Sequence, residues 1–116
     1  MNDLSDGAGR VKRFCITDTE GFRLVDVDRV VRLEAASNYT NFLLADGSRI
    51  VTSHTLGEYE ELLEEHGFCR IHQSHIVNMR HVKRYKRTNG GTVVMSDGEK
   101  LSLSRKRKDG FLGRFG

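Results

Sequence analysis

The sequence predicts a mainly β fold made of antiparallel hairpins, with one amphipathic helix near its middle. Three observations predict it. Short runs of β-type residues alternate with turn signals along most of the 116 residues. Asp46-Gly47, Asn89-Gly90 and Asp97-Gly98 sit between apolar alternations, where both central residues of a tight hairpin can take φ > 0. One stretch, Thr55–Gly67, carries helical periodicity instead.

Taken in order, RFCIT (Arg13–Thr17) is the first strand, closed by the turn DTEG. Strands follow at Phe22–Val27, Asp28–Ala35 and Ser37–Ala45, and Asp46-Gly47 turns the chain into Ser48–Ser53. In TLGEYEELLEEHG, Leu56, Tyr59, Leu62 and Leu63 define one helical face. Thr55 suits the N-cap, Glu58 completes a capping box, and Gly67 supplies the stop. Glu60, Glu61, Glu64 and Glu65 read as solvated charges. His81–Arg87, Thr92–Met95 and Glu99–Ser104 complete a meander. The last stretch, RKRKDGFLGRFG, predicts a short closing helical turn.

The length fits one domain, expected over residues 13–116, with residues 1–12 as a flexible tail or linker. No apolar run approaches the ~18 residues of a membrane span. The polar start MNDLSDGAGR is not a signal peptide. Cys15 and Cys69 are too sparse for a disulfide scaffold and read as reduced thiols of a cytoplasmic protein. The net charge of +3 hides an asymmetry: 7 Lys and Arg against 13 Asp and Glu before Phe68, then 12 against 3 from Phe68 onward. A basic half suits a polyanion, and a solvated basic face is the plainer alternative.

Catalysis has little support, because no G-x-S-x-G elbow, P-loop or HExxH is present. Cys69, His72, His75 and His81 lie close in sequence but lack the paired spacing of a zinc site. No metal or other cofactor is implied. Three polar segments carry the residue types that read base edges: Asn38, Tyr39, Thr40 and Asn41; His72, Gln73 and Ser74; and Ser104 to Lys108. Lys83, Arg84, Lys86 and Arg87 suit phosphates, which position a duplex without specifying its sequence. Each has a bland counterpart. Asn38 can shape a turn, Tyr39 can pack on the helix, and His72, Ser74 and Asn78 can satisfy backbone groups.

Four segments in order, VVRLEAASNYTNFLLADG, LGEYEELL, FCRIHQSHIVNMRHV and LSLSRKRKDGFL, make the chain resemble the LytTR domain. That domain is the DNA-binding output module of LytR/AlgR-type bacterial response regulators. The resemblance runs from about Phe14 to Leu112, and F-x-R-I-H-x-S-x-I-V-N is its most specific part. It implies an elongated, mainly antiparallel β fold that inserts loops, rather than a recognition helix, into DNA grooves. Asn38–Asn41, Gln73 and Arg105 correspond by position to its three contacting loops. Arg70, Lys106 and Arg107 are implied backbone neighbours, beside Lys83 and Lys86. The implied partner is promoter DNA at paired direct repeats, one domain per repeat, with a homodimer forming on the DNA and no membrane. Thr40 and Asn41 stand where some members carry His or Arg, so base preference does not transfer. The segment before Arg13 is too short for a receiver domain. The alternative is a regulatory module whose basic face meets an acidic protein.

Overall fold

A computed structural model describes residues 12–115, so the segment expected to form a tail, up to residue 11, lies outside the described residues. Ten strands and two helices are described. They are β1 (Arg13–Asp18), β2 (Gly21–Asp26), β3 (Val30–Ala36), β4 (Tyr39–Leu44) and β5 (Arg49–Thr52), then α1 (Leu56–Glu64). After it come β6 (Phe68–His72), β7 (His75–Asn78), β8 (Val82–Lys86), β9 (Thr92–Met95), β10 (Lys100–Ser102) and α2 (Arg105–Gly113). The closing turn expected from the sequence is thus a nine-residue helix. Its glycines, Gly110 and Gly113, lie in the last turn, where their helix-breaking cost is small.

Every strand pairing among the described residues is antiparallel. β5-β4-β3-β7-β6 form a five-stranded sheet, β10-β9-β8 a three-stranded sheet, and β1-β2 a hairpin. The large sheet buries both faces. On one side Leu33, Phe42, Phe68 and Ile76 pack with Leu56, Tyr59 and Leu63 of α1 and with Ile16 and Val25 of the hairpin. On the other, Val31, Ile71 and Val77 pack with Val93, Met95, Leu101, Leu103 and Phe111. Adjacent apolar pairs such as Val30-Val31 and Ile76-Val77 are the sequence imprint of this double burial, since neighbouring strand residues face opposite ways.

The capping box of α1 forms as expected, with the Glu58 carboxylate accepting from Thr55 N at 2.9 Å and Thr55 Oγ1 at 3.0 Å. Leu62, however, is 51% exposed. The buried stripe is Leu56, Tyr59 and Leu63, and Leu62 lies about 100° around the helix from Leu63. Asn78 is fully buried, donating to Val27 O at 3.2 Å and Val30 O at 2.9 Å and accepting from Arg80 N at 3.1 Å. It ties β7 to the entry of β3. The body measures 41 × 36 × 25 Å, longer than it is thick. No helix among the described residues is long and apolar enough to cross a membrane.

Candidate nucleic-acid interface

Two backbone hydrogen bonds set the geometry of the site. Ala35 N donates to Ser74 O at 3.0 Å, which brings the β6–β7 turn beside the end of β3, and hence beside the β3–β4 turn. Ser104 N donates to Ile71 O at 2.8 Å, which seats the start of α2 against the end of β6. Three polar segments separated in sequence therefore meet at one end of the large sheet. His72 and Gln73 of the second and Ser104, Lys106 and Arg107 of the third line a cleft between those two segments.

The first segment is shorter than expected. β3 and β4 are joined by a two-residue turn, Ser37-Asn38, with Ala36 paired to Tyr39. Ser37, not Asn38, takes the left-handed conformation, at φ 60°. Asn38 is exposed at the tip, and Tyr39 is 53% exposed. Thr40 and Asn41 already belong to β4. Thr40 is fully buried and its hydroxyl donates to His54 O at 2.7 Å, so it has no surface to offer a base. Asn41 is nearly covered, on the sheet face shared with Tyr39. The segment expected to be a four-residue loop presents only its first two residues, because the hairpin closes in two.

The second segment is a turn braced from below. Gln73 is exposed at its tip. Ser74 N donates to His72 Nδ1 at 3.1 Å, a bond that closes across the turn. Ser74 contributes its carbonyl to β3, as above, rather than capping through its hydroxyl. The His72 and His75 rings lie 5.4 Å apart. Burial lowers the pKa of His75, which favours the neutral ring. Arg70, expected beside a phosphate, is instead committed inward. Its guanidinium donates to His72 O at 3.2 Å, Gln73 O at 2.5 Å and Glu60 Oε1 at 2.9 Å.

The third segment lies on the first turn of α2 rather than in a loop. Arg105 and Lys106 are exposed there, and Arg107 pairs with Glu60 Oε2 at 3.0 Å. Glu60 is the residue that sequence reasoning missed. Partial burial pushes its pKa up, but hydrogen bonds from Arg70 and Arg107 outweigh this and hold the carboxyl below its usual range. Its signal was its place on α1, four residues after Leu56 and three before Leu63, beside the buried stripe.

The basic residues of β8 divide. Tyr85 packs toward Phe111, so strand alternation turns Arg84 and Lys86 to the outer face. Lys100 joins them across Val94, which pairs with both Arg84 and Lys100. Lys83 alternates to the side of Tyr85, beside the irregularity at Val94-Met95. The histidine and cysteine cluster of the sequence is not drawn together. His81 sits apart, against Asp28 O and Ser96, and no group of three or more potential metal ligands converges among the described residues.

The family model of the LytTr DNA-binding domain matches residues 20–116. The chain belongs to this family. Its fold agrees. A LytTr DNA-binding domain of a putative methyl-accepting/DNA response regulator from Bacillus cereus superposes with a TM-score of 0.75 at 26% identity, over 90% of this chain and 96% of that one. The CO-responsive transcriptional regulator RcoM of Rhodospirillum rubrum is 36% identical over 80 residues, 68% of this chain and 34% of the relative. The heme-containing CO-sensing transcriptional regulator RcoM 2 of Paraburkholderia xenovorans is 30% identical over 87 residues, 72% of this chain and 32% of the relative. The chain therefore spans about a third of the length of these curated relatives. As a LytTr domain it is a DNA-binding domain of the kind found in transcriptional regulators.

Proposed function

We propose that this LytTr domain reads duplex DNA sequence with side chains gathered at one end of its large sheet. The observation that carries the reading is the convergence of the Asn38 tip, the Gln73 tip and the start of α2, held by the Ala35–Ser74 and Ser104–Ile71 backbone bonds. Gln73 and Arg105 are exposed, and their types suit adenine and guanine edges respectively. Asn38 and Tyr39 form the third contact. Lys106, the first-turn amides of α2 and the Arg84–Lys86–Lys100 face hold phosphates. Thr40 and Asn41 support the first tip from within, and Arg70 and Arg107 brace the other two. The domain binds paired direct repeats in promoter DNA, one copy on each, in the bacterial cytoplasm, and performs no chemistry itself.

Substitution tests the assignment. Gln73→Ala and Arg105→Ala should each lose about 1–3 kcal/mol at the preferred site and relax preference at one base position, while binding to random duplex changes little. Equal weakening on preferred and random DNA would reassign the residue to phosphate contact.

A further inference from the structure

Glu60 stands on α1, outside all three contact segments. Yet its two carboxylate oxygens accept hydrogen bonds from two arginines that serve different segments: Oε1 from Arg70 of β6, beneath the second, at 2.9 Å and Oε2 from Arg107 of the third at 3.0 Å. Both arginines are largely covered, with side chains 14% and 24% exposed. Arg70 continues to the carbonyls of His72 and Gln73, on the turn that carries the Gln73 side chain. Arg107 lies on the same helical turn as Arg105. One carboxylate thus joins the β6–β7 turn to the start of α2 through two charge-assisted bonds, which are stronger and more directional than neutral ones.

We propose that Glu60 is a specificity-determining positioning residue, resting on the contact assignment above. It fixes the Gln73 turn and the Arg105 turn relative to each other, so that both meet one duplex in a single register. Its charge sharpens the argument. A carboxylate beside a DNA-binding surface repels phosphates and weakens binding to any sequence. A surface shaped for affinity alone would leave both arginines to the phosphates. Glu60 instead trades general affinity for a rigid frame, and the two effects have opposite signs on matched and random DNA.

Glu60→Gln keeps the shape and removes the charge. The probes are a duplex recovered from a random library by the unmodified chain and a scrambled duplex of equal length. The variant should bind the scrambled duplex more tightly, with its logarithmic salt slope steeper by about 0.9 for each added phosphate contact. On the recovered duplex it should lose about tenfold, comparable to one good base contact. Glu60→Asp, which keeps the charge, should retain part of the discrimination. Parallel weakening on both duplexes with a lowered Tm would make Glu60 a brace of the fold only and overturn the inference. Parallel tightening on both would make it a brake on phosphate contact with no role in register, and would also overturn it. Gln73→Ala and Arg105→Ala run beside it. If neither changes discrimination, the contact assignment itself fails. If both do and Glu60→Gln does not, only the role of Glu60 falls.

Discussion

At the residue scale, Thr40 shows what composition hides. A small polar residue in a polar run reads as a loop contact, but the run Asn38–Asn41 crosses from a turn into a central strand. There Thr40 becomes part of a buried polar chain: Tyr59 OH donates to Thr52 Oγ1 at 2.9 Å, and Thr52 Oγ1 donates to Thr40 O at 3.4 Å. Burial of the Tyr59 phenol pushes its pKa up, consistent with a hydroxyl that stays protonated as a donor. Thr40→Val preserves volume but strands the His54 carbonyl. It should cost about 1 kcal/mol in urea unfolding and leave base preference untouched. A changed base preference in the folded variant would restore Thr40 as a contact. Glu60 fails the same way in reverse, since a helix glutamate looks solvated until two arginines distant in sequence fold against it. Neither contact is local; the sequence offered only the place of Glu60 beside the buried stripe of α1, and nothing for Thr40. Asn78 was legible, because a buried polar residue between apolar neighbours must find backbone partners.

At the element scale, eight of the ten described strands declared themselves through alternation and Gly-containing turns, and their observed limits fall within two residues of expectation, whereas β6 and β7 lie in the polar-rich FCRIHQSHIVN stretch and were given no limits from the sequence. Asp46 shows why such turns are robust: its carboxylate accepts from both Ser48 N and Ser48 Oγ, which lowers its pKa. α1 was legible through its cap. Thr55→Ala should cost about 1 kcal/mol, measured as a drop in the denaturation midpoint. It should also loosen Glu60, one turn away, and so lower sequence discrimination more than it lowers binding to random DNA. Unchanged discrimination in the folded variant would separate the cap from the interface. α2 was underestimated because its glycines, Gly110 and Gly113, count against a helix. Its stability comes from Phe111, fully buried against the three-stranded sheet, and from Arg114 donating to Phe68 O at 2.9 Å. Tertiary packing decided that helix, and propensity did not.

At the scale of the whole molecule, the charge asymmetry was the broadest sequence signal, and the fold divides its basic half between two tasks. Arg70 and Arg107 pair with Glu60, whereas Arg105, Lys106, Arg84, Lys86 and Lys100 make up the set proposed to contact DNA. Lys86→Ala should therefore flatten the salt dependence of binding by about one phosphate contact while preserving sequence preference. An unchanged slope would leave the outer face of the small sheet out of the interface. The central claim is that one end of the large sheet reads sequence. The most direct measurement is selection of binding sites by the purified chain from a random duplex library at physiological salt. The account predicts enrichment of a short motif in two direct copies about one helical turn apart. DNA retained without any enriched motif would contradict it, reducing the domain to a basic surface that holds phosphates and reads nothing.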